Sequence, residues 1–282
     1  ISSQDCNACP TPCKDEEHPH YPSYLKIDHE LPLLHSMKPY IRHVLISTGQ
    51  DDWDAHIDSD PTQLAHHMQK AIDAGQQRLR DENGGKDVPR IVLTNSSRKA
   101  ETWDGPGWQV VILPDQIVVN DVTPEQCDDF FEAFLRPAKD GGQDSSKVSI
   151  STASVHAGST TFLAHRWLPK SAIMICSHGK RDNRCAKTAP LLKKQFLQYL
   201  RQKDIYGDAE GDVEIWLVSH IGGHKFAGNV IVHRSEPEEK TSMAIWYGRV
   251  EPCHATAIVE ATIERGEVIR ELYRGAMLGS FD

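Results

Sequence analysis

AIMICSHGKRDNRCAKTAPLLKKQFLQYLRQKD, residues 172–204, begins as one kind of structure and ends as another. Ala172–Cys176 is short and apolar, as a buried strand is. From Pro190 to about Asp204, Leu191, Leu192, Phe196 and Leu200 recur along one side, the pattern of an amphipathic helix. Between strand and helix lies the polar run SHGKRDNR, closed by Cys185. Strand, loop and helix in this order predict an α/β layer structure.

The alternation continues outward in both directions. Val213–Ser219, Asn229–His233 and Met243–Tyr247 read as strands, with a helix from about Glu251 or Pro252 to Arg265 and room for one more in the tail. In the first half, Tyr40–Thr48, Val88–Thr94, Trp108–Leu113 and Ile117–Val122 read as strands. A helix opens at Asp60-Pro61 and runs to Gly84-Gly85, and another begins at Thr123-Pro124-Glu125 and reaches about Leu135. Residues 138–147, rich in Gly, Asp and Ser, predict a linker. The expected organisation is an irregular segment over 1–38, an α/β domain over 39–137 and a second α/β domain over 148–282.

Length and composition agree with two soluble domains: 282 residues, 39% hydrophobic and 25% charged. No apolar run is long enough to span a membrane. Ile1-Ser2-Ser3-Gln4 lacks the basic, apolar, small-residue succession of a signal peptide. A net charge of −9 argues against nucleic acid as a partner and suits steering toward a basic one. Seven cysteines in a chain of this size do not make a disulfide framework, so a reducing compartment is expected, where clustered Cys and His indicate metal.

Four potential ligands occupy two turns. Cys176 ends one expected strand and Cys185 follows after eight residues; His220 ends another and His224 follows across Ile221-Gly222-Gly223. The glycines let the second turn fold tightly and approach a bulky inorganic group. Two thiolates and two imidazoles suit zinc or an iron–sulfur cluster. Structural zinc sites usually pair Cys across about two to four residues, whereas two irons tolerate a wider loop. Cys6, Cys9 and Cys13, with His18 and His20, offer a further zinc or cluster site set against loose thiols. Cys127 reads as core packing, Cys253-His254 as a cap or packing pair, and His66-His67 as surface or satisfied core residues. A Cys-x₅-Arg phosphatase loop fails because Asp182 stands where the arginine belongs. No nucleophile elbow, dinucleotide fingerprint or phosphate loop occurs.

The stretches Ile175–Leu192, Ser219–Val232 and Trp246–Pro252 resemble the thioredoxin-like [2Fe–2S] ferredoxins, and within them the sucrase/ferredoxin-like family of the fungal actin-patches-distal type. The likeness covers residues 146–282, and Leu45–Trp53 extends it into the first half. The resemblance implies a thioredoxin-like second domain, a first domain that is a diverged copy, and a [2Fe–2S] cluster with one iron on Cys176 and Cys185 and the other on His220 and His224. It implies a cytoplasmic electron carrier rather than a substrate-converting enzyme, with unidentified donor and acceptor proteins and supply by the cytosolic iron–sulfur assembly machinery. The aromatic C-terminal signal for that machinery is not clearly matched by Ser280-Phe281-Asp282. The alternative is a zinc-stabilised thioredoxin-like binding module with no redox role. Ser177, His178, Lys180 and Arg184 lie in the first loop, with no role assigned.

Overall fold

In a computed structural model the described residues are 20–100, 105–137, 153–236 and 241–281. Cys6, Cys9, Cys13, His18 and the linker expected at 138–147 lie outside them, and His20 is exposed. The chain forms two units. One comprises Tyr40–Gln50 and His56–Trp167; the other comprises Asp51–Ala55 and Leu168–Asp282 with the described part of Ile1–Pro39.

In the first unit, β1 (Arg42–Ser47) and β2 (Ile91–Ser96) are parallel. Parallel neighbours need a crossover, and α1 (Leu64–Glu82) supplies it. It buries Leu64, Met68, Ala71, Ile72, Gly75 and Leu79, one stripe at helical spacing. On the other side of β1 lies β3 (Trp108–Leu113), antiparallel and joined by a short turn to β4 (Ile117–Val122). A helical run follows: a 3₁₀ turn at Pro124–Gln126, α2 (Cys127–Phe130) and a π turn at Phe131–Leu135. Gln126 caps it by accepting the Thr123 N–H at 3.0 Å. Then β5 (Ala153–Ala157) and β6 (Thr160–Arg166) extend the sheet beyond β4, giving the order β2-β1-β3-β4-β6-β5.

The second unit repeats this plan. β7 (Ser171–Cys176), buried throughout, leads into α3 (Asn183–Gln202) and then β8 (Val213–Val218), parallel to β7. β9 (Val230–Glu236) pairs antiparallel with the other edge of β7, and β10 (Thr241–Tyr247) with β9. α4 (His254–Ile258), continued as a π turn over Val259–Glu264, follows, and β11 (Tyr273–Ala276) closes the order β8-β7-β9-β10-β11. Its core gathers Ile173, Ile175, Leu192, Phe196, Val230, Ile245 and Ile258.

Both units therefore place their first four strands in the order second, first, third, fourth, with a helix between the first two and another after the fourth. This is the thioredoxin-like arrangement. The first four strands and the helices that go with them are alike in the two units; beyond β4 the first adds β6 and β5, and beyond β10 the second adds β11 alone.

The elements depart from expectation in four places. α3 begins at Asn183, seven residues before Pro190, because the Asp182 carboxylate accepts the Arg184 N–H at 3.0 Å and starts the helix there. Pro190 is an exposed interior residue of that helix, and Cys185 lies in its first turn instead of ending a loop. β5 and β6, rich in Ser, Thr and His and half-exposed, carry too little apolar alternation to read as strands. The tail forms a 3₁₀ turn and a strand in place of a helix. Finally, the division expected at residue 148 falls after Trp167, because β6 pairs with β4; residues 20–39 and 51–55 pack with the second unit.

Candidate metal centre

Cys176 is the last residue of β7, in register with Val218, the last of β8. In parallel neighbours the carboxyl ends share one edge, so the segments after both strands emerge together. Ser177 N–H donates to Val218 O at 3.1 Å and Cys176 N–H to Asn229 O at 3.0 Å, fixing the departure of the first segment. The chain then turns into α3, and its first turn brings Cys185 back. The two sulfurs lie 3.4 Å apart, both buried.

Two thiols this close cannot both ionise freely. The neighbouring Cys185 thiol, then His220 and the backbone N–H of His178, hold Cys176 well below the usual thiol range. Cys185 is pushed up by the Cys176 thiolate and by its own burial. Cys176 is thus the thiolate of the pair.

The second pair stands on the turn after β8. Gly222 and Gly223 adopt φ of +84° and +71°, which L-residues rarely take, and the chain re-enters a 3₁₀ turn at His224–Phe226. The His220 and His224 rings lie 5.3 Å apart, tilted by 36°. Nδ1 of each is buried with no hydrogen-bond partner. An orphaned buried acceptor is costly, so two side by side mark a place where something else bonds them. The His224 side chain is otherwise 42% exposed, its Nε2 3.9 Å from Asp182 Oδ2. Burial lowers its pKa and the Asp182 carboxylate opposes this.

The structure also gives roles to the first loop. His178, 1% exposed, accepts the His220 backbone N–H on Nδ1 at 3.0 Å and donates from Nε2 to the Trp53 and Asp54 carbonyls, both at 2.9 Å. It ties the Cys loop to the His turn and both to residues 51–55. Ser177 Oγ donates to Asp51 O at 2.6 Å, and Lys180 pairs with Asp54 at the surface. Arg184 clasps Asp182 through Nε and Nη2 and reaches Lys26 O.

Arg274 on β11 is the residue that sequence reasoning missed. It is 1% exposed and donates from Nη1 to Gly222 O at 3.2 Å and to Asn229 Oδ1 at 2.8 Å. A Cβ added at Gly223 would meet its guanidinium, so glycine there makes room for arginine. No sequence signal pointed to it, since it lies far from either motif.

The four donors stand as two pairs; among the described residues no three of His, Cys, Asp and Glu are gathered as one ion requires. Two adjacent thiols and two imidazole nitrogens without other partners fit the donor set of a two-iron cluster. Cys127 is elsewhere, its thiol pushed up to about 12 by burial in α2, and the partly buried Cys253 precedes α4. His254 Nδ1 accepts the Glu251 N–H at 3.0 Å, a local cap. His66 and His67 donate to the Asp58 and Pro61 carbonyls at 2.6 and 2.8 Å. No helix among the described residues is long and apolar enough to cross a membrane.

Known proteins match most of the chain. Actin patches distal protein 1 of Saccharomyces cerevisiae is 31% identical over 268 residues, 91% of this chain and 80% of that protein. Altered inheritance of mitochondria protein 32 of Debaryomyces hansenii is 29% identical over 247 residues, 85% and 83% of the two chains. A solved thioredoxin-like [2Fe–2S] ferredoxin from Aquifex aeolicus aligns at 23% identity over 40% of this chain and 92% of its own, with a TM-score of 0.22, too low to carry an argument. The model of the sucrase/ferredoxin-like family matches residues 33–275, and with 31% identity to a relative spanned over four-fifths of its length, the chain belongs to that family.

Proposed function

We propose that the chain is a one-electron carrier whose [2Fe–2S] cluster is held by Cys176 and Cys185 on one iron and His220 and His224 on the other. The observation that carries this reading is the pairing: two buried sulfurs 3.4 Å apart, and beside them two imidazoles whose buried Nδ1 atoms have nothing else to bond. Membership of a family described as sucrase/ferredoxin-like supports it. The cluster would supply reversible one-electron chemistry. The protein's own part is to hold Cys176 as thiolate, to exclude water from both sulfurs and to aim the imidazoles through His178.

Neutral imidazoles in place of two thiolates remove about two negative charges from the centre, which favours the reduced form. Two-His centres lie at ~ −150 to +300 mV, against ~ −400 mV for plant-type ferredoxins. The potential here belongs near the lower edge of that range. Were Nδ1 to hold the cluster, His224 would keep its proton on Nε2, the nitrogen facing Asp182. With a cluster bound, that proton would be held more tightly when the centre carried one more electron, coupling electron and proton at this atom. Electrons arrive from and leave to one-electron donor and acceptor proteins. A reducing, cytoplasmic setting with cluster supply from the cytosolic assembly machinery suits the buried free thiols.

The test is a visible absorption spectrum with iron, sulfide and zinc analysis on protein purified without oxygen. About two irons and two sulfides per chain, colour lost in Cys176→Ala and a spectrum shifted in His220→Cys are expected. A colourless protein with one zinc would replace this reading with that of a zinc-stabilised binding module.

A further inference from the structure

We propose that the buried guanidinium of Arg274 is the counter-charge of this centre and raises its reduction potential by favouring the form with one more electron. The inference rests on the cluster reading above and goes beyond the ligands to the residue that balances their charge.

Every acceptor of Arg274 is neutral. Its Nε donates to Ser36 Oγ at 3.0 Å, Nη2 to Ser36 O at 3.2 Å, and Nη1 to Gly222 O and Asn229 Oδ1. Its plane lies by the Phe226 and Trp246 rings, 5.5 and 5.8 Å from their centroids. Among the described residues no carboxylate pairs with it. A buried guanidinium without an anion is expensive, so the missing partner calls for an explanation. The opposite charges acting on it are those of Cys176 and Cys185. Burial lowers its pKa to about 10 and the two cysteines oppose the fall, so it is a cation at neutral pH.

The charge count then fixes the direction. Two thiolates cancel the charge of an oxidised two-iron, two-sulfide core and neutral imidazoles add none; one more electron leaves a net negative charge. A cation in a poorly screened interior stabilises that state more than the oxidised one. Arg274 gives up no proton and takes no electron. It acts through its field and through its hold on the carbonyl of Gly222, inside the His turn.

The test is a one-electron redox titration of wild type, Arg274→Lys, Arg274→Gln and Ser36→Asp, each first shown by iron, sulfide and spectrum to carry its cluster. Arg274→Gln is expected to lower the reduction equilibrium constant at least tenfold, about 59 mV for a one-electron couple. Arg274→Lys should stay within threefold of wild type. Ser36→Asp sets a carboxylate against the arginine without removing it and should shift the constant in the same direction as the Gln variant. A purely structural arginine would not respond to that change. If Arg274→Gln cannot hold the cluster, Ser36→Asp decides alone. Values within twofold of wild type in the loaded variants would overturn the proposal, whereas a wild type without iron and sulfide would defeat the cluster reading itself.

Discussion

His178 and His220 are joined through the backbone: the His220 N–H donates to His178 Nδ1 at 3.0 Å, and the other nitrogen of His178 donates to the carbonyls of Trp53 and Asp54. One buried imidazole thus fixes the start of the His turn against two other segments. His178→Phe leaves the His220 N–H and both carbonyls without this partner. The expected loss is ~1–3 kcal/mol of stability, the cost of a buried polar group unsatisfied, with iron content falling in parallel. Denaturant unfolding and iron analysis on the same preparation check both.

With the proposed cluster in place, the exposed edge of His224 would make the potential depend on pH. Between the proton affinities of its Nε2 in the two redox states, one proton follows one electron, and the slope reaches ~ −59 mV per pH unit. Asp182 favours the proton there, so Asp182→Asn, which keeps a helix cap, moves the sloping window to lower pH. A potential that stays flat from pH 6 to 9 in wild type would count against titration at this atom.

The two turn glycines separate backbone strain from crowding. Gly222 and Gly223 both have positive φ, but a Cβ at Gly222 meets open space while one at Gly223 meets Arg274. Gly222→Ala should cost ~1–2 kcal/mol from the left-handed backbone alone. Gly223→Ala should cost more and displace the guanidinium. Equal unfolding free energies for the two variants would show that the arginine yields freely.

His233 on β9 gives an acid-stability signature. Burial drops its pKa to about 3, against 6.5 for an ordinary histidine. The unfolded chain takes up its proton as pH falls through 6.5, while the folded chain resists until about 3. The contribution is therefore full above 6.5 and is lost toward 3, at up to ~1.4 kcal/mol per pH unit. His233→Gln should flatten that slope, as measured by denaturant unfolding of both proteins from pH 7.5 to 4.5.

How far the sequence could be read depended on where the information lay. The Cys and His motifs are local, each on one turn, and the structure brings Cys176 to Cys185 and His220 near His224. The strands from β1 to β4 and from β7 to β10 announce themselves by apolar runs. What escaped was either masked locally or made by distant pairing. Pro190 looks like the first residue of a helix, which hid the cap at Asp182. β5 and β6 present Ser, Thr and His where a strand reader looks for Val and Ile. Arg274 reaches the His turn only because β11 pairs with β10, placing Gly275 opposite Trp246.

Asp51–Ala55 belongs to the second unit although the residues on either side of it belong to the first. The carbonyls that hold His178 are thus drawn from more than a hundred residues upstream. The half that bears the cysteines is for this reason not a portable cassette. A fragment starting at Leu168 would keep all four candidate ligands and lose the clasp on the imidazole that aims one of them, so grafting or shuffling must carry the thread from the first half along with it.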